Sequence, residues 1–195
     1  TGDHPSSNYI NVAASTTSGT LSSGQASVSA PQPISSSLQN RAFGTAGFGA
    51  PLPIGAVFTH TFAASAVISP TNVNGCLPWP AGTFTGRAAV IQRGVCTFSA
   101  KVYYAQQAGA SFVVIYNSAA GGEGILNMAA GDFASQVTIS SIFVQRSMGL
   151  GMVDWYTANG ATSELTVNTI AYQLGSIADR IISFSSRGPG IGNVL

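Results

Sequence analysis

The stretch "GRAAVIQRGVCTFSAKVYYAQQAGASFVVIYN", residues 86–117, decides the fold. Residues 87–92 predict a strand, and the continuous apolar run within 111–117 predicts a second strand that is buried. Between them, Thr97 can cap the start of a helix, and Gly109 can end that helix in the left-handed conformation. A strand, a helix and a strand joined by short connections predict a right-handed parallel crossover.

The sequence on either side predicts more strands, one further helix and two loops. We expect strands at 9–15, 56–63, 64–70, 136–144 and 161–174, a helix at 146–160, and loops at 71–86 and 118–135. The second helix contains Gly149 and Gly151, each of which costs about 1 kcal/mol relative to Ala, so tertiary packing must stabilise it. Residues 18–55 are rich in Ser, Thr, Gly and Pro, which is typical of a flexible linker or of an extended arm.

Charge is scarce throughout the chain. Asp, Glu, Lys and Arg make up 7% of its 195 residues, and the net charge is +1. Seven basic residues cannot form a nucleic-acid-binding surface, and no apolar run reaches the roughly 18 residues that a membrane helix needs. A single lysine, Lys101, in a chain rich in Ser, Thr and Gly favours a secreted protein. We therefore expect an extracellular location and neither a nucleic-acid nor a membrane partner.

The two cysteines, Cys76 and Cys96, enclose nineteen residues. In a secreted chain this favours a disulfide, worth about 3 kcal/mol for a loop of this size. Two buried free thiols are the alternative. His4 and His60 lack ligand-like spacing to the cysteines, so we expect no metal site.

No catalytic constellation is evident. The sequence has no Gly-x-Ser-x-Gly elbow and no phosphate-binding loop, and its six acidic residues are far apart. His4 and His60 fit ordinary structural positions. We therefore expect a non-catalytic chain that needs no cofactor.

The ordered residues of the central stretch resemble the protease-associated (PA) domain family. The matching positions are Gly86, Arg93, Gly94, Cys96, Phe98, Lys101, Gly109 with its two flanking alanines, and Asn117 after Tyr116. The resemblance implies an α+β, mainly β fold, an open β-barrel or sandwich with about two short helices packed on it. Arg93 and Gly94 then form a turn, Phe98 anchors the core, and Lys101 is a solvated or backbone-bonded lysine that orients the helix.

The two ends of the chain carry a second resemblance. "HPSSNYINVAAS" (4–15) and "DRIISFSSRGP" (179–189) are similar to consecutive stretches of a subtilisin-like serine protease (subtilase), here roughly 160 residues apart. This implies a PA domain inserted into an exposed turn of a protease body, where insertion costs little. The expected limits are protease-body stumps at 1–17 and 176–195, an arm or linker at 18–55, and the PA domain at 56–175. The subtilase Gly-Thr-Ser-Met-Ala and His-Gly-Thr-His motifs are absent from this chain, so the enzyme activity is expected in its parent.

The resemblances imply a domain that binds or gates protein substrates beside the catalytic cleft of a subtilase. Its expected partners are the subtilase catalytic domain in cis and protein or peptide substrates. Trp79 and Phe84 in the first loop, and Phe133 in the second, are the candidate substrate contacts, with packing into the domain as their alternative role. One alternative function stays open, a homodimerisation or structural module of the same protease. The protease-like ends of the chain argue against a sorting module, and an insertion in a zinc aminopeptidase would not supply "SFSSRGP".

Overall fold

The strand–helix–strand unit lies at the centre of one mixed β-sheet. The computed structural model of the chain describes residues 20–173. The strands of this part are β1 (Thr20–Ala30), β2 (Arg41–Ala42), β3 (Gly44–Thr45), β4 (Val57–Ala64), β5 (Ala88–Gln92), β6 (Phe112–Tyr116), β7 (Ser141–Val144) and β8 (Glu164–Gln173). Its α-helices are α1 (Ser65–Ile68), α2 (Phe98–Gln107) and α3 (Arg146–Asn159).

The strand order in the sheet is β2-β1-β8-β4-β5-β6-β7-β3. Strands β4 to β7 run parallel to one another. By contrast, β8 is antiparallel to β4, and β3 is antiparallel to β7. The expected mainly β fold with a few short helices, a nearly closed barrel-like sheet, is therefore confirmed.

Two hydrophobic cores cover the two faces of the sheet. In β5, Ala88 and Val90 belong to the first core, whereas Ala89 and Ile91 belong to the second. Side chains of a strand alternate between faces, so a strand covered on both faces must be apolar throughout. Helix α3 packs on the first core and α2 on the second.

Glycines in α3 allow the close approach of this helix to the sheet. A Cβ atom added to Gly149 would lie 2.0 Å from Cβ of Tyr116, and one added to Gly151 would lie 2.5 Å from Cδ2 of Leu38. The low helix propensity of both glycines is thus offset by tertiary packing, as the sequence required.

The helix that follows β5 is confirmed with one change at its start. It spans Phe98–Gln107, and Gly109 follows in the left-handed region at φ +91°. The Thr97 side chain, however, makes no capping hydrogen bond. Thr97 thus occupies the expected N-cap position, but its hydroxyl lies 3.2 Å from a carboxylate oxygen of Asp132 and does not bond to the helix backbone.

Two predicted strands are shorter or absent. The strand expected at 64–70 is wrong, because after β4 the chain forms α1 and then a 3₁₀ turn. The buried Ser65 hydroxyl donates to the carbonyl of Val73 and stabilises the path of the chain through α1 and this turn. Of the strand expected at 136–144, only Ser141–Val144 pairs in the sheet.

The segment 18–55, expected as an arm or a linker, contributes β1, β2 and β3 to the sheet. Ala26 and Val28 of β1 are buried in the first core. The strand expected at 9–15 and both protease-body stumps lie outside the described residues, so the domain limits stay predictions. No helix in residues 20–173 is long and apolar enough to cross a membrane.

Candidate functional site

Two loops joined by a disulfide lie at the carboxyl ends of the parallel strands. The disulfide links Cys76 to Cys96, as expected, with 5.7 Å between the Cα atoms. Between the same loops, the side-chain amide of Asn74 donates a hydrogen bond of 3.1 Å to the Arg93 carbonyl. Loops on a rigid sheet edge of this kind are common positions for binding residues.

The disulfide-linked loops present two aliphatic side chains to solvent. Leu77 is 63% exposed, and Val95 is 93% exposed. Val95 also has φ +68°, a conformation that a β-branched residue rarely adopts. The linked loops therefore hold Val95 in a strained, outward-facing position.

Lys101, a motif residue, is fully buried on α2 beneath these loops. Its ammonium donates hydrogen bonds of 2.5 Å to the carbonyls of Asn74 and Gly94. Burial lowers the pKa of Lys101 to about 8. Lys101 is therefore bonded to the backbone, one of the two roles that the sequence left open.

Arg93 and Asn117 connect the loop after β5 to the loop after β6. Arg93 Nη1 donates to Asn117 Oδ1 at 3.0 Å, and the same oxygen accepts from the Ser118 amide at 2.9 Å. The Asn117 side-chain amide donates to the carbonyl of Gly124 at 2.9 Å. Asn117 is buried, so these bonds satisfy its polar atoms and hold the start of the 118–135 loop.

The remaining motif residues set the turns around α2. Gly86, Gly94 and Gly109 all have positive φ. Phe98 is half-buried, with its ring edge-on to Phe143 at 5.9 Å.

Trp79 and Phe84, two of the candidate substrate contacts, are core residues. Trp79 is 7% exposed and Phe84 is completely buried, and their rings pack edge-to-face at 5.0 Å. Both belong to the second core, which the Pro- and Gly-rich loop covers. Neither ring is available to a substrate in this structure, so packing is the role that the structure gives them.

Phe133, the third candidate, lies at the protein surface. It is 37% exposed, has φ +62°, and stacks on Tyr103 at 4.6 Å between ring centroids. Tyr104 lies 5.7 Å from the same ring. We call Tyr103, Tyr104 and Phe133 the aromatic surface. The two tyrosines were missed, although they adjoin each other on α2 outside the apolar face of that helix.

Burial shifts the pKa of two further side chains in the described part. Burial lowers the pKa of His60, which stacks on Phe112 at 4.9 Å. Burial also raises the pKa of Tyr116, and the positive charge of Arg146 partly opposes that rise. Within residues 20–173, no group of three His, Cys, Asp or Glu side chains could hold a metal ion.

Comparisons with known proteins locate a family match on the central part of the chain. Residues 58–151 match the family model of the PA domain. A curated relative, a probable leucine aminopeptidase 2 from Aspergillus fumigatus, is 28% identical over 149 residues, which cover 67% of this chain and 29% of the relative. The chain thus spans less than a third of that relative.

The chain is also similar to two solved structures, of which the one with a TM-score of 0.50 supports the fold. A zinc aminopeptidase from Bacillus subtilis is 19% identical with a TM-score of 0.50, covering 76% of this chain and 33% of that one. A psychrophilic subtilisin-like protease from Pseudoalteromonas sp. AS-11 is 17% identical with a TM-score of 0.41, covering 80% of this chain and 35% of that one.

Proposed function

We propose that this chain, whose residues 58–151 form a PA domain, is the non-catalytic domain of a larger secreted peptidase and contacts protein substrates through the aromatic surface. The observation that carries this proposal is Phe133. The backbone of Phe133 has a positive φ, which a bulky residue rarely adopts. Its ring is partly exposed and stacks on the ring of Tyr103. Backbone strain at a bulky residue is typical of binding sites.

The aromatic surface suits apolar segments of protein chains. Aromatic rings lose few rotatable bonds on binding and offer large contact areas, so they often provide most of the affinity at an interface. Fully burying a Phe contributes about 1.5–3 kcal/mol. Phe133 is 37% exposed, so covering the rest would contribute about 0.5–1 kcal/mol, with roughly as much again from ring packing. Together these amount to a roughly 5- to 30-fold effect on binding.

For the parent enzyme we propose a subtilase. The support is the similarity of "HPSSNYINVAAS" and "DRIISFSSRGP" to consecutive stretches of that family. A zinc aminopeptidase is the second candidate, favoured by the curated relative that is 28% identical to this chain. Either parent is consistent with a binding or gating role for the domain.

The recognition role is tested by cleavage with the parent protease. Phe133→Ala is compared with Val57→Ala, which removes another exposed apolar side chain, at the start of β4. Casein serves as the protein substrate and a chromogenic tetrapeptide as the short one. We expect Phe133→Ala to lower kcat/KM about 5- to 30-fold for casein and to leave the tetrapeptide unchanged. An increase in kcat/KM for casein alone would indicate that the domain restricts the access of protein substrates to the active site. Unchanged kcat/KM for both substrates would exclude recognition by Phe133.

Self-association is a second proposal for the same domain. It is favoured by the exposed Leu77 and Val95, each of which adjoins one cysteine of the disulfide, since exposed apolar side chains favour contacts between proteins. Sedimentation of the chain at high concentration tests it. A dimer that dissociates on Leu77→Ser substitution would support the proposal, and a strict monomer would exclude it.

A further inference from the structure

The ammonium group of Lys101 is placed symmetrically between the two cysteine loops. It donates to the carbonyls of Asn74 and Gly94, each of which lies two residues before one of the cysteines. It also lies 3.5 Å from Cys76 Sγ and 3.4 Å from Cys96 Sγ. One buried cation thus contacts both loops and both sulfur atoms.

We propose that Lys101 is a positioning residue for formation of the Cys76–Cys96 disulfide. Its ammonium holds the two loops together while both cysteines are still thiols. It then stabilises the thiolate that closes the bond.

The hydrogen-bonding capacity of the lysine supports the first part. An ammonium has three donors and no acceptor. Two donors are used by the Asn74 and Gly94 carbonyls, and neither bond involves the disulfide. Because Lys101 is completely buried on α2, water does not compete for these carbonyl contacts. The two loops therefore have a connection in the reduced chain.

The charges around the sulfur atoms support the second part. An ammonium next to a thiol favours its ionised form and lowers its pKa. The pKa of Lys101, about 8, leaves about nine-tenths of the amine charged at pH 7. Of the other charged groups on the surrounding elements, Arg93 is directed at Asn117, and Asp132 accepts from Thr97. Lys101 is the one charged group in the described part for which contacts with the sulfurs are found.

The closing step is a thiol–disulfide exchange with a low-molecular-weight disulfide as oxidant. The thiolate of one cysteine first attacks the oxidant, whose disulfide bond breaks. One half stays on the protein as a mixed disulfide, and the other half leaves as a small thiolate with the electron pair. The thiolate of the other cysteine attacks the protein sulfur of that mixed disulfide. The Cys76–Cys96 bond forms, the bond to the small thiol breaks, and the small thiolate leaves with the electron pair and takes a proton from solvent.

The size of the charge effect follows from thiolate chemistry. Lowering a thiol pKa from about 8.5 to about 7.5 raises the thiolate fraction at pH 7 about eightfold. Its nucleophilicity falls about threefold for the same change. Lys101 should therefore accelerate closure about threefold near pH 7. The advantage should vanish by about pH 9.5, where the lysine is neutral and an unassisted thiol is largely ionised.

The experiment measures reoxidation of the full 195-residue chain across pH. The reduced chain is exposed to oxidised glutathione, quenched by alkylation and analysed by mass spectrometry. Lys101→Gln removes the charge but keeps an amide donor, and Lys101→Met removes both. Arg93→Gln removes a neighbouring cation that does not contact the sulfurs. We expect Lys101→Gln to slow closure about threefold near pH 7 but not at pH 9.5, and Lys101→Met to slow it at both, whereas Arg93→Gln should show no pH-dependent loss.

Two results would overturn the proposal. One is a Lys101→Gln rate that equals the wild-type rate near pH 7, or that is slowed by the same factor at every pH. The other comes from the thiol pKa values of the reduced wild-type chain, measured by the ultraviolet absorbance of the thiolate. This measurement does not depend on whether the variants fold. We expect at least one value about one unit lower in buffer than in concentrated guanidinium chloride. Equal values, including those from a reduced chain that does not fold, would contradict the role of Lys101.

Discussion

Gly149→Ala tests the packing of α3 against the sheet, and Gly151→Ala on the same helix is its matched control. The new methyl group at position 149 would meet Cβ and Cγ of Tyr116 at 2.0 and 2.1 Å. Tyr116 is 2% exposed and belongs to a strand buried on both faces. Its Cβ and Cγ atoms are therefore fixed in place, and the helix would have to move to relieve the contact. At position 151 the methyl group would meet the end of the Leu38 side chain at 2.5 Å, which a change of rotamer can relieve.

The expected free energies differ by about 2 kcal/mol. Each substitution gains about 1 kcal/mol of helix propensity. Overpacking a rigid core costs roughly 1–3 kcal/mol, and the contact at Tyr116 is short enough to require the upper value. A rotamer change at Leu38 costs about 1 kcal/mol. Gly149→Ala should therefore destabilise the domain by about 2 kcal/mol, and Gly151→Ala should be close to neutral.

Urea unfolding of the whole chain, followed by circular dichroism, measures this difference. We expect a lower midpoint for Gly149→Ala with an unchanged m-value, and a melting temperature that falls by roughly 4–8 °C. The reasoning would be refuted if Gly149→Ala were as stable as Gly151→Ala, because the close approach of α3 to Tyr116 would then not limit the packing.

Three further substitutions test other parts of the structure. Val95→Gly should raise the unfolding free energy by about 0.5–1 kcal/mol, since relief of the strain at φ +68° exceeds the entropy cost of glycine; a loss of stability in urea would contradict this. Burial lowers the pKa of His60 below 6.5, so the unfolded chain binds more protons than the folded chain, and stability is lost as the pH falls below 6.5. His60→Phe should therefore make the melting temperature depend less on pH between pH 5 and 7.5. An unchanged pH dependence of the melting temperature would contradict this. Asn117→Ala should cost about 2–3 kcal/mol, because Arg93 and the Gly124 carbonyl lose their partner, and it should speed amide exchange at Ser118; unchanged exchange there would show that Asn117 does not hold the loop.

The centre of the fold could be predicted because its signals are local and agree with one another. The apolar runs of β5 and β6, the start of α2 at Phe98 and the left-handed Gly109 all follow from side-chain type and backbone sterics. The helix at 146–160 was also found despite its glycines. The prediction of a strand at 64–70 was wrong because the chain there forms α1 and a 3₁₀ turn. These are stabilised by a hydrogen bond from the Ser65 hydroxyl to the Val73 carbonyl, which an apolar pattern does not indicate.

The candidate site was less predictable because it depends on contacts between distant segments. The stack of Phe133 on Tyr103 joins residues thirty positions apart, and no pattern connects them. Trp79 lies in a loop rich in Pro and Gly, and only the three-dimensional structure shows that the loop folds over the second core. The sequence identified Lys101 as a motif residue, but its complete burial depends on how the two cysteine loops fold over α2.

The most direct test of the central claim, a PA domain serving a subtilase, is inhibition of the purified parent enzyme. A serine-directed sulfonyl fluoride and a zinc chelator such as 1,10-phenanthroline are applied separately, with cleavage of a chromogenic peptide as the readout. We expect the sulfonyl fluoride to inactivate the enzyme and the chelator to leave it active, because a subtilase uses a serine nucleophile. Inactivation by the chelator together with resistance to the sulfonyl fluoride would contradict the account and indicate a zinc aminopeptidase instead.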